Sequence, residues 1–145
     1  MGYNGYLLKV GGSSGDIFPE KYMYKESYKS RFEAQDLDSG RNANGVLQRN
    51  VLDHVPAVVS FTLKPMHLND FNAAMALIRN HYITRRLSNG VYPERKIVLY
   101  HFNPEYGDYF TGTFYLATPD PTAMQTYHKT KDIRYDAMNL EFIEY

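Results

Sequence analysis

The chain has no cysteine and no tryptophan, and its formal charge is zero, with 16 basic and 16 acidic residues. Without cysteine there are no disulfides, thiolate metal sites or cysteine nucleophiles. A balanced charge gives no field that would draw in nucleic acid or an anionic membrane. It also leaves copies of the chain with little mutual repulsion. No apolar run approaches the ~18 residues of a membrane-crossing helix. The first residues, Met1-Gly-Tyr-Asn-Gly-Tyr6, lack the charged and apolar regions of a signal peptide.

Recognisable catalytic patterns are missing as well. None of the five histidines, His54, His67, His81, His101 and His128, pairs with another at the spacing of a helical zinc motif. Gly11-Gly-Ser-Ser-Gly15 follows a strand-like run, but no Lys-Ser/Thr ending and no helix come after it, as a phosphate loop needs. Asp36 and Asp38 could start a calcium loop, but Leu47 stands where the closing glutamate belongs. Arg79, Arg85, Arg86, Arg95 and Lys96 are spread too widely to form a basic face. The residues therefore point to a protein that is not an enzyme, with no catalytic residues, no metal and no cofactor, and with no sequence-specific nucleic-acid or membrane partner.

What is present is aromatic. There are 14 tyrosines and 8 phenylalanines in 145 residues, a length suited to one domain. Tyrosine gives rigid contact area with a polar tip and suits half-buried strands and interfaces. Period-two alternation predicts strands at Tyr6–Val10, within Tyr22–Ala34, at Val46–Leu52 and at Val55–Lys64. Tyr109–Ala117 and Arg134–Tyr145 follow the same period, and Arg95–Phe102 reads as a strand covered on both faces, from its near-continuous apolar character. In the second of these, Tyr28, Ser30, Phe32 and Ala34 share a face. In the return strand, Phe110, Gly112, Phe114 and Leu116 face inward and Tyr109, Thr111, Thr113 and Tyr115 outward. Ala123–Lys131 reads as a polar connection. Leu68, Phe71, Met75, Ile78 and Tyr82 fall at helical spacing, which predicts one amphipathic helix near 69–84. Asn69 is its expected N-cap, Arg85-Arg86 its basic end and Asn89-Gly90 its exit. The sum is α+β, mainly antiparallel β, with about seven strands in two packed sheets and one helix.

The stretch Asp36-Leu-Asp-Ser-Gly-Arg-Asn-Ala-Asn-Gly-Val-Leu-Gln-Arg49 stands apart. It mixes turn-formers with two arginines and two aspartates, and it reads as a protruding loop between strands. Asp36, Asp38, Arg41, Asn42, Asn44 and Arg49 are its candidate subunit-interface residues. Two pairings are open: the arginines meet carboxylates on a neighbouring subunit, or Arg41 and Arg49 pair locally with Asp36 and Asp38.

An ordered set of motifs carries a resemblance. Leu8-Lys9-Val10 with Gly12, Asp36-Leu-Asp-Ser-Gly-Arg-Asn-Ala43 with Gly45 and Arg49, Thr113-Phe-Tyr115 and Leu140-Glu-Phe-Ile-Glu144 together resemble an uncharacterised family of phage- and prophage-encoded tail proteins. The segments Tyr22–Arg31 and Asn80–Glu94 depart from it by their length. The resemblance implies a single tail-tube-like domain over 1–145: two packed antiparallel sheets, a flanking helix and a loop that reaches a neighbour. It implies a virion structural protein made in the host bacterial cytoplasm and built into the tail. There it forms a ring of the tail tube, the tube end or the baseplate. The partners it implies are other copies in a hexameric ring and neighbouring tail proteins, with DNA passing through the tube. The competing reading is a monomeric β-rich binding module whose tyrosine-rich face takes carbohydrate or peptide.

Overall fold

The computed structural model describes residues 2–33, 36–41, 47–51 and 56–145, and for 36–41, 47–51, 84–87 and 91–93 the backbone alone. The first half runs β1 (Leu8–Val10), β2 (Asp16–Ile17), a 3-10 turn (Glu20–Tyr22), β3 (Lys29–Phe32), β4 (Asp36–Arg41), β5 (Leu47–Val51), β6 (Ala57–Leu63) and β7 (Met66–His67). The helix α1 (Leu68–Arg79) follows, then β8 (Thr84–Leu87), β9 (Gly90–Pro93), β10 (Lys96–Asn103), β11 (Asp108–Leu116), β12 (Ala123–Tyr127), β13 (Asp132–Tyr135) and β14 (Met138–Glu144). The fold is α+β, mostly antiparallel, with one helix among the described residues. Among the described residues strands number fourteen rather than seven, largely because short strands and hairpins occupy stretches that read as loops.

Seven strands form the principal sheet in the order β2-β1-β10-β11-β14-β6-β3. A second sheet has the order β12-β13-β7, and the pairs β4-β5 and β8-β9 are separate ribbons. On β6, Ala57, Val59, Phe61 and Leu63 are buried; on the opposite face Ser60 and Thr62 are half-exposed, while Val58 is buried too. β14 pairs with β6 and supplies Met138, Leu140 and Phe142 to the same core. β10 reads as nearly continuous apolar sequence, yet only Ile97, Leu99, His101 and Asn103 are fully buried. Val98, Tyr100 and Phe102 form a half-covered outer face.

The helix packs its Phe71, Ala74, Met75 and Ile78 onto this core. It is shorter than its periodicity suggested. It ends at Arg79 with Asn80 as C-cap, and Tyr82 reaches the core from outside it. Arg85 and Arg86 belong to β8, and Ser88-Asn89 make the tight turn into Gly90 of β9. An Asn-Gly pair followed by Val and Tyr favours such a hairpin over a helix exit. Asn69 does not cap the helix. His67 flanks the start without a side-chain cap bond, and Asp132 Oδ1 on β13 accepts the Leu68 N–H at 3.3 Å. The cap thus comes from a distant strand, which no local pattern can announce.

Ala123–Lys131 also differs from expectation. Its first half is β12, paired with β13 around a bulge between Ala123 and Gln125. The closing strand is correspondingly split into β13 and β14. At the other end of the sheet, Gly11 and Gly12 have φ of +94° and +96°. A side chain at Gly11 would enter the His81 ring, so that turn needs glycine for backbone reasons.

Candidate functional site

The sheet is curled. β3, at one edge, lies across from β10, and three side-chain groups close the gap. Tyr28 donates its hydroxyl to the Phe102 carbonyl at 2.9 Å and, more weakly, to the Leu7 carbonyl at 3.3 Å. Ser30 Oγ meets His101 Nδ1 at 2.7 Å, with both residues buried. Phe32 packs edge-on against Phe110 at 5.1 Å and against Tyr106 at 5.9 Å. Tyr28, Ser30 and Phe32 are the alternate positions that the sequence placed on one face. Ala34, the fourth, lies outside the described residues. Burial pushes the Tyr28 hydroxyl pKa up and holds His101 down at about 4.

From this latch the chain leaves the sheet. Phe32 pairs with Ala57, and the Glu33 N–H reaches the Pro56 carbonyl at 2.9 Å. Between those anchors lie β4 and β5, which pair only with each other among the described residues. The expected loop is therefore a two-stranded arm. Asp36, Asp38 and Arg41 sit on β4 and Arg49 on β5, whereas Asn42 and Asn44 lie outside the described residues. The stretch around β4 misled as a loop because Gly40 and its polar neighbours give no apolar alternation. Ser39 pairs with Arg49 and Arg41 with Leu47, so both arginines occupy positions of one ribbon face. The register slips between Asp36 and Asp38, a bulge of the kind that bends and twists a ribbon.

The tyrosine excess has a second focus on the outer face of β10 and β11. Tyr100 and Tyr109 stack with ring centres 5.0 Å apart and 6° between planes. Tyr6 covers them, and Lys9 Nζ stands 4.9 Å over the Tyr6 ring. Tyr109 faces outward as expected, opposite Phe102. It is 9% exposed, because its hydroxyl donates to the Tyr6 carbonyl at 2.7 Å and accepts the Asn4 N–H at 2.9 Å. Much of this aromatic surface thus holds the first residues onto the sheet. Beside it opens a cleft of about 610 Å³ walled by Leu7, Met23, Tyr24, Tyr28, Phe102 and Pro104, with Glu20, Lys25, Glu26 and Lys64 as its charged members.

Two further histidines, His81 and His67, make structural contacts. His81 Nε2 meets Asp16 Oδ2 at 2.8 Å and ties the helix end to β2. His67 Nδ1 meets Asp132 Oδ2 at 2.7 Å. Among the described residues no three His, Asp or Glu side chains gather as a metal site, and no helix is long and apolar enough to cross a membrane.

A family model matches residues 1–145, the whole length of the sequence. The chain belongs to the family of unknown function DUF6711. No curated protein matches it. For this DUF6711 chain, then, the arm, the latch at its root and the aromatic face with its cleft are the features from which a function must be read. Two of them escaped the sequence. The Ser30–His101 contact joins residues far apart in the chain, and the cleft is made by segments that meet only through the curl of the sheet. Tyr28 and Phe32 were the sole local hint, as aromatic positions on the latch face of β3.

Proposed function

We propose that this protein is a non-enzymatic structural subunit of a phage virion, forming a ring of the tail tube, tube end or baseplate by contact with further copies and with neighbouring tail proteins. The observation that carries the reading is the arm: a two-stranded ribbon that leaves the sheet between Phe32 and Ala57 and pairs with nothing else among the described residues. An isolated hairpin is marginal in water, so a second surface that covers it would stabilise it. A ring closed by rotation needs two different complementary surfaces on each subunit, and an arm with a receiving face supplies them. Arginine and aspartate on the arm would set register across such a joint. The motif order described above supports the same reading, and the zero net charge leaves association unopposed. On this reading the protein is made in the host bacterial cytoplasm and resides in the virion tail, DNA passes through the ring, and no membrane or base-specific contact is required.

Light scattering coupled to size exclusion, followed by negative-stain imaging, tests it. Discrete rings are expected, and Arg41→Ala is expected to reduce them to monomers with an unchanged far-UV spectrum. A strict monomer at high concentration would sink the proposal.

One observation favours a second reading, a monomeric module that binds carbohydrate or peptide. The cleft of about 610 Å³ adjoins the tyrosine face, and pockets of this size with aromatic walls suit small ligands. Its mark would be ligand affinity in the monomer, lost on Tyr24→Ala.

A further inference from the structure

We infer that protonation of His101 unlatches β3 from β10 and so frees the root of the β4–β5 arm. The inference rests on the latch geometry and not on what the arm meets, so it stands or falls separately from ring formation.

The imidazole is 1% exposed and its Nδ1 lies 2.7 Å from Ser30 Oγ. The groups that face it are Ser30 from β3, the Phe110 and Phe114 rings from β11, and Leu8 opposite it on β1. Tyr28, next on the same face of β3, has its hydroxyl committed to the Leu7 and Phe102 carbonyls. None of these groups is charged; Glu144 of β14, on the same inward face, lies beside Gly112 with its Oε1 accepting the Ala57 N–H at 2.9 Å, and burial alone shifts the imidazole. A protonated ring could still donate to the Ser30 hydroxyl. One neutral oxygen does not replace the hydration of a charge in a site walled by phenylalanines. The cost is relieved if β3 moves off β10 and admits water.

Movement is possible because β3 is an edge strand. Its one ladder is to β6, over Lys29 to Phe32. Across the gap to β10 it is held by side chains alone. The arm begins four residues after β3 ends and returns to the strand with which β3 pairs. Whatever loosens β3 therefore loosens the arm's base.

The sign is fixed by the direction of the shift. Burial lowers His101 to about 4 from 6.5. A histidine lowered in the closed form penalises that form as pH falls below the ordinary value. The penalty grows until pH passes the closed-form value and then levels off. Across that window the opening equilibrium shifts by on the order of a hundredfold.

Hydrogen exchange followed by mass spectrometry reads the opening. Rates corrected for intrinsic exchange would be compared at about pH 7.5 and about pH 4.5. Peptides over β3 are expected to exchange faster by roughly fiftyfold or more at the lower pH while β14 peptides keep their protection. His101→Gln, which keeps a neutral hydrogen-bonding group, should abolish the difference. Equal protection of β3 at both pH values overturns the inference. So does matching loss in β14, which means global unfolding, or a difference that survives in His101→Gln. Should that variant fail to fold, Ser30→Ala serves instead: β3 should exchange fast already at the higher pH, and unaltered protection counts against the latch.

Discussion

Phe61 shows how much a single side chain carries in this core. It lies 5.2 Å from the Phe18 ring and 6.1 Å from the Phe142 ring, centre to centre, and is fully buried. It bridges the β6–β14 pair to the segment after β2. Phe61→Ala should lower unfolding free energy by about 3–5 kcal/mol, read as a drop in the urea midpoint. Asp132 does different work. Burial would raise its pKa, but the Leu68 and Ile133 N–H groups and His67 outweigh that and hold it below its ordinary 3.8. A carboxylate lowered by folding contributes stability above the unfolded value and loses it as pH falls through the folded one. Melting curves of the parent should therefore steepen in their decline below about pH 4, and Asp132→Asn should flatten that acid limb while lowering the melting temperature at neutral pH. An unchanged limb in the variant would assign the decline to other carboxylates. Local sequence gave no sign of this cap, since Asp132 and Leu68 are separated by most of the second half of the chain.

At the scale of elements, what the sequence disclosed and what it hid divide along a physical line. β6, β11 and β14 were legible because a buried face favours alternation, and β10 was legible as a nearly continuous apolar run. α1 was legible for its stripe, though its end was not: Ile83 and Thr84 go on into a hairpin whose pairing partner cannot be read from periodicity. β5 falls within the strand expected at Val46–Leu52, whereas β4, the ribbon β8–β9 and the strand β12 were missed for one reason. Ribbons outside the core satisfy their backbone without an apolar face, so they carry the composition of loops. The 36–49 stretch was thus singled out by its composition and misjudged in the conformation of its first part, which is β4. If the arm serves assembly and not folding, replacing 36–51 with a short Gly-Ser connector should leave the melting temperature within a few degrees, the usual reach of changes remote from a core. The same variant should elute as a monomer. Loss of folding would show instead that the ribbon supports the sheet.

For the whole molecule, the balance of 16 positive and 16 negative side chains means that attraction between copies must be local. If joints depend on arginine–carboxylate pairs at a wet interface, raising salt from about 0.15 to about 1 M should shrink the ring fraction seen by light scattering, because the screening length falls from about 8 to about 3 Å. Salt-insensitive rings would point to apolar contact through the tyrosine face. The order of the large sheet has a further consequence, for synthesis. β14, the last strand in sequence, lies between β11 and β6, both made earlier. While a ribosome is still reading the codons for β12 and β13, β6 and β11 each present an unclosed hydrogen-bonding edge, and the core still lacks Met138, Leu140 and Phe142. The sheet then closes in one late, long-range step. A chain that stalls just short of Met138 would release two sticky edges into the cell, so abundant synthesis of this protein calls for either fast completion or a chaperone waiting at the exit of the ribosome.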